Sequence, residues 1–130
     1  MEAINDILAA DPRIAFAMLF GSAARGTARS DSDIDIAVGL EAGASLDHHA
    51  LGGLVSSLEA ATGREVDLVV VGEAPSPLAY RIFRDGILVF ERNHASLVDA
   101  KAAAILRYLD FQPVEELCAR GVLRAACDGR

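Results

Sequence analysis

No apolar run in this chain is long enough to cross a bilayer, because Arg, Asp, Glu or Gly interrupts every candidate. A basic n-region ahead of a hydrophobic stretch is also missing: the first residues include Glu2 and Asp6. A secretory signal is therefore not expected, and the reading is a cytoplasmic protein. Positive charge is scarce as well, with 12 Lys and Arg against 19 Asp and Glu, a net charge of −7. A protein that grips nucleic acid through its phosphates needs a basic face. Here the arginines are scattered and outnumbered, so no direct nucleic-acid binding is expected, and an acidic surface better suits a basic protein or a cationic small substrate. Cysteine occurs twice, at Cys118 and Cys127, with no CxxC and no His/Cys cluster. Free thiols are expected there, and a zinc site has no support. Internal repeats and low-complexity linkers are absent too.

What the chain has in quantity is apolar residues, 52% of 130, with a mean hydropathy of +0.31. That length fits one domain spanning 1–130 with a real core, and the apolar surplus points to a buried core plus an interface. Ala3, Ile4, Ile7 and Leu8 recur at helical spacing over residues 2–10, and Asp11-Pro12 ends the run. Arg13 to Phe20 is continuously apolar after its first residue, as in a strand buried on both faces. A short helical turn is expected over Ser22 to Arg25, a second strand over Ile34 to Val38, and a loop from Gly39 to Ser45. Leu46 to Ala61 reads as an amphipathic helix closed by Thr62-Gly63, and Asp47 fits a loop or an N-cap position. Val66 to Val71 is a third strand, bounded by Gly72 and a Pro75-Ser76-Pro77 turn. A helix over Leu78 to Arg84, a strand over Ile87 to Glu91, and helices over Ser96 to Leu109 and Val114 to Ala126 complete the reading. The order predicts an α/β fold, a small mixed sheet covered by helices with a helical C-terminal tail.

Chemistry concentrates in one stretch. Asp33 and Asp35 flank Ile34 at the opening of an apolar strand, so their side chains project together while Ile34 and Ile36 point inward. Two like charges held that close repel unless a cation lies between them, and a hard divalent ion with oxygen ligands, Mg²⁺, is the economical choice. Such an ion keeps coordination places for substrate phosphates. A two-metal phosphoryl-transfer site needs a third carboxylate, and Asp67 is the candidate, an acid interrupting the hydrophobic strand Val66-Asp67-Leu68-Val69-Val70-Val71. Taken alone, Asp67 would read as an edge acid facing solvent or pairing with Arg64. Gly21 and Ser22 supply a phosphate-binding turn: Gly21 permits a tight bend and close approach, and N–H groups from Ser22 onward face an anion. Arg25, one turn further on, could reach a triphosphate.

Gly21-Ser22-Ala23-Ala24-Arg25-Gly26 followed by Ser30-Asp31-Ser32-Asp33-Ile34-Asp35-Ile36, with the later strand Asp67, resembles the polymerase β-like nucleotidyltransferase superfamily. Within it the pattern is similar to the minimal nucleotidyltransferases (MNT), small proteins often encoded beside a helical HEPN-domain toxin. The resemblance covers about residues 13–92, taken as the catalytic core and including a hairpin-like ending at Phe83-Arg84-Asp85-Gly86-Ile87-Leu88-Val89; residues 93–130 match only in being helical. It implies an Mg²⁺-dependent transfer of AMP from ATP to a tyrosine of a cognate HEPN ribonuclease, which silences the toxin. Asp33, Asp35 and Asp67 would then hold metal, Asp67 would help deprotonate the acceptor, and Gly21, Ser22 and Arg25 would bind the nucleotide's phosphates. A hetero-oligomer with the toxin is implied as well.

Two other readings share these residues. A small-molecule transferase of the aminoglycoside-modifying type uses the same elements with an added substrate domain, for which this chain has little room. A non-catalytic antitoxin would mask its toxin by contact alone, but its carboxylates would not need to be intact. Other polar residues read as structural. His48 and His49 are adjacent on a helix and diverge by about 100°, too far apart to chelate one ion. His94 is expected near a helix cap, Asp31 in a loop or at an N-cap, and Tyr80 and Tyr108 as half-buried packing residues. The stripe Leu97, Val98, Ala102, Ile105, Leu106 and Leu109 is expected to pack in the core. The apolar residues beyond it (Phe111, Val114, Leu117, Val122, Leu123) are expected to form a partner interface.

Overall fold

A computed structural model describes residues 2–24 and 33–110. Its elements in chain order are α1 (Glu2–Ala9), β1 (Ile14–Phe20), α2 (Gly21–Ala24), β2 (Ile34–Leu40), α3 (His48–Thr62), β3 (Val66–Val70), α4 (Ser76–Asp85), β4 (Ile87–Glu91) and α5 (His94–Asp110), with a single 3-10 turn at Val71–Glu73 after β3. Four strands form one mixed sheet in the order β3-β2-β1-β4. Strand β1 pairs antiparallel with both β2 and β4, and β2 pairs parallel with β3. A parallel pair needs a long crossover, and α3 supplies it.

Both faces of the sheet are covered, which is why β1 carries no polar residue. On one face Ile4 and Leu8 of α1 and Leu54 and Leu58 of α3 pack on Ile14, Ala17, Leu19, Ile34, Ile36, Val38, Val66 and Leu68. On the other, Ala79, Ile82 and Phe83 of α4 and Ala104 of α5 pack on Ala15, Phe16, Met18 and Ala37. Ala15 and Phe16, neighbours in sequence, therefore face the same side. The break in alternation coincides with a register shift between Ile14 and Phe16 against β2, the mark of a bulge.

The helix expected from Leu46 begins at His48, and Asp47 takes the N-cap: its carboxylate accepts from the Ala50 N–H at 2.7 Å. Gly63 closes it. Below it, the Val66 N–H donates to Glu59 Oε2 at 3.0 Å, and the Ile34 N–H donates to the Glu65 carbonyl at 2.8 Å. The first ties the start of β3 to α3, and the second ties the starts of β2 and β3 side by side.

Several expectations change. Gly39 and Leu40 extend β2 instead of opening a loop. The glycine is there because a Cβ would lie 1.9 Å from Phe16 Cε1; the ring occupies the space a side chain would take. Pro75-Ser76-Pro77 does not form a free turn: α4 starts at Ser76, with Pro77 in its first turn, where a missing N–H costs nothing. Val71 leaves the strand for the 3-10 turn. The segment around Gly86 is a helix-to-strand junction, not a hairpin, since β4 pairs with β1. His94 is the first residue of α5 and not its cap; Asn93 fills that position, its Oδ1 accepting from the Ser96 N–H at 3.2 Å. The α5 stripe is only partly core. Ala104 is buried and Leu97 packs beside it, but Val98 and Leu106 are 50% and 62% exposed. The expected helix over 114–126, Cys118 and Cys127 lie outside the described residues. Among the described residues, no helix is long and apolar enough to cross a membrane.

Candidate active site

The polar end of the sheet is built by the start of β2 and β3 and the end of β1. Asp35 sits in β2 between Ile34 and Ile36, both buried under α1 and α3. Alternation turns Asp35 to the opposite face, the one that α4 and α5 cover further along the sheet. In β3, Asp67 lies between buried Val66 and Leu68 and takes the same face. The two aspartates are register partners across the parallel pair, with backbones on the order of 4.8 Å apart. Asp33 is exposed at the residue before β2, one step ahead of the strand. On the other side of Asp35 stands Phe20, its antiparallel partner at the last position of β1.

Gly21 follows directly. Its φ is +71°, in the left-handed region, and an added Cβ would meet Asp35 Oδ2 at 2.2 Å and Asp35 Cγ at 3.2 Å. Two constraints thus converge on glycine, the backbone turn and the carboxylate pressed against it. Ser22 continues into α2, half-buried. The sequence-predicted Gly-Ser turn and second aspartate are therefore in contact, although 13 residues separate Ser22 from Asp35. Arg25 and Asp31 lie outside the described residues.

The donor chemistry suits a hard divalent cation. Asp33, Asp35 and Asp67 offer only carboxylate oxygens, with no thiolate or imidazole beside them among the described residues, and Mg²⁺ prefers that set. Among the described residues, no three His, Cys, Asp or Glu side chains are gathered closely enough to hold an ion. The fold brings the backbones of Asp35 and Asp67 together as register partners. The rival ligands stay apart from this end: His48 and His49 are exposed at the start of α3, and His94 Nδ1 pairs with Glu91 Oε1 at 3.0 Å. Tyr80 and Tyr108 stack on each other, centroids 4.0 Å apart and planes at 10°, half-buried as expected.

One wall of the site was missed by the sequence reading. A cavity of about 160 Å³ opens beside Gly21, lined by Phe20, Gly21, Leu78, Arg81, Ile82 and Asp85. The α4 members recur at i, i+3, i+4 and i+7, a single helix face. That spacing is visible in the sequence, but the face's direction depends on how α4 packs against β1.

A mixed sheet that sets a Gly-Ser turn against strand-end carboxylates, with helices on both faces, defines an α/β nucleotidyltransferase architecture. The chain belongs to the family described as Polymerase beta, Nucleotidyltransferase, whose family model matches residues 2–95. Among solved structures it is similar to a chain of a toxin–antitoxin complex with AMP-PNP, at 27% identity and a TM-score of 0.76, covering 94% of this chain and 97% of that one. A second likeness is to a chain in the complex of a tri-AMPylated Shewanella oneidensis HEPN toxin with its MNT antitoxin, at 25% identity and a TM-score of 0.70, each chain covered to 94%. A protein described as a minimal nucleotidyltransferase aligns at 31% identity with a TM-score of 0.55, over 66% of this chain and 88% of that one. No curated protein matches the sequence.

Proposed function

We propose that this protein is an antitoxin nucleotidyltransferase that moves AMP from ATP to a tyrosine of a cognate HEPN toxin and thereby neutralises it. The observation that carries the reading is the contact between Gly21 and the Asp35 carboxylate, beside Asp67 in register. It couples a turn suited to phosphates to carboxylates suited to a divalent ion, which is what a nucleoside triphosphate requires. The acceptor class rests on the likeness to chains from a toxin–antitoxin complex with AMP-PNP and from one whose HEPN toxin is tri-AMPylated. The protein would act in the cytoplasm as one domain over 1–130, in a hetero-oligomer with its toxin.

In this mechanism Gly21 and Ser22 hold the outer phosphates and so fix the triphosphate's direction. Asp33, Asp35 and Asp67 would hold Mg²⁺, which when bound would withdraw charge from the reacting phosphorus. The tyrosine oxygen attacks the α-phosphorus, its bond to the β-phosphate oxygen breaks, and pyrophosphate leaves. The phenolic proton passes to the Asp67 carboxylate, the general base in this reading.

The test is transfer of label from α-labelled ATP to a cognate HEPN protein, in Mg²⁺, followed by mapping of the modified residue. Label on a tyrosine, reduced at least about a hundredfold in Asp33→Asn and Asp35→Asn, supports the reading; a loss of several kcal/mol of charge stabilisation sets that scale. A stable, neutralising complex with no label would sink it in favour of masking by contact.

A further inference from the structure

We propose that Arg81 of α4 holds the β- and γ-phosphates of the nucleoside triphosphate, a role that rests on the nucleotidyl-transfer reading above. The cavity beside Gly21 continues the phosphate turn on the side away from β2, so a triphosphate with its α-phosphate near Asp35 has room there for its outer phosphates. Arg81 is the one basic residue among the described residues lining it.

The charge balance of this wall depends on that residue. Asp85, one turn further on, would repel a phosphate, as would the C-terminal end of α4, where unpaired carbonyls carry partial negative charge. Arg84 binds Asp85 in a two-point contact, Nε to Oδ1 at 3.0 Å and Nη2 to Oδ2 at 2.8 Å. Asp85 in turn raises the Arg84 guanidinium above its ordinary value through that hydrogen bond, so the pair stays ionised and mutually satisfied. Arg81 takes part in no ion pair among the described residues and is exposed. Its planar fork is thus available for bidentate contact with phosphate oxygens. Phe20, Leu78 and Ile82 back the cavity with apolar surface, which lowers the local dielectric and strengthens such a contact. The residue belongs to no part of the Gly-Ser or Asp-x-Asp pattern. It reaches the cavity only because α4 runs back across the sheet towards the end of β1.

Calorimetric titration of the full chain with ATP and, separately, with AMP in Mg²⁺ tests the assignment without any acceptor or turnover. Arg81→Ala should weaken ATP binding about tenfold or more, the scale of one lost charge-assisted pair, and leave AMP binding unchanged, since AMP has no outer phosphates. Arg81→Lys should fall between, keeping charge but losing the fork. The unliganded melting temperature of both variants should match the parent, as expected for an exposed side chain. Equal ATP affinity in Arg81→Ala, or equal losses for ATP and AMP, would overturn the assignment while leaving nucleotidyl transfer standing. A parent protein that binds no ATP would overturn both, and that result shows before any substitution is made.

Discussion

Gly21 admits little change. A Cβ there would sit 2.2 Å from Asp35 Oδ2 on a backbone with φ of +71°. Gly21→Ala should cost about 1–3 kcal/mol in urea denaturation, the range for a non-glycine residue forced into left-handed geometry. Activity should fall further, by about a hundredfold, because the displaced group is the Asp35 carboxylate and a shift on the order of 1 Å has that effect. A variant with parental stability and parental transfer would refute the contact. A second residue-scale effect is pH-dependent. Asp11 accepts from Arg13 Nε and Nη2 at 2.9 and 2.8 Å, and this bonding holds its carboxyl below the ordinary 3.8. A depressed carboxylate contributes stability that is fully present above the unfolded value and is lost as pH falls through the folded one. Melting temperature should therefore decline below about pH 4, and Asp11→Asn should flatten part of that decline while lowering stability slightly at pH 7.

Helix α3 joins the two strands that carry Asp35 and Asp67, so its ends set their pairing. Asp47→Ala removes the carboxylate that accepts from the Ala50 N–H and should cost about 1 kcal/mol by denaturant titration, with Asp47→Ser recovering most of it. Transfer activity should barely change, since the ties from Glu59 to Val66 and from Glu65 to Ile34 remain. Elements with a local cause were legible in advance: Asp47 and Gly63 at the two ends of α3, the all-apolar β1, the strand alternation that exposes Asp35 and Asp67. Those with a distant cause were not. Gly39 reads locally as a breaker, and only the Phe16 ring explains its place in a strand. Pro75 and Pro77 read as a turn until α4 is seen to begin between them. The place of Arg81 beside Gly21 was not legible for the same reason, because it depends on which strand end α4 crosses.

At the scale of the molecule, the sheet concentrates its chemistry at one end and leaves apolar surface elsewhere. Val98 and Leu106 of α5 lie eight residues apart, on one stripe of the helix, and are 50% and 62% exposed. Exposed apolar side chains on one helix face are a cost in water that an interface removes. The sequence continues with Phe111, Val114, Leu117, Val122 and Leu123, so apolar residues persist well past α5. Both features fit the toxin-binding surface that the proposed function requires. Leu106→Ser with Val98→Ser in the full chain should weaken the complex about tenfold, the effect of losing a central apolar anchor, and deletion after Gln112 should weaken it further. ATP affinity should be unchanged in the double variant, because neither residue lines the cavity beside Gly21. The labelling reaction should then show a raised KM for the toxin with kcat preserved, since the transferring residues are intact once the acceptor is bound. Parental toxin affinity in both forms would remove α5 and the tail from the interface and assign recognition to the site end of the sheet alone.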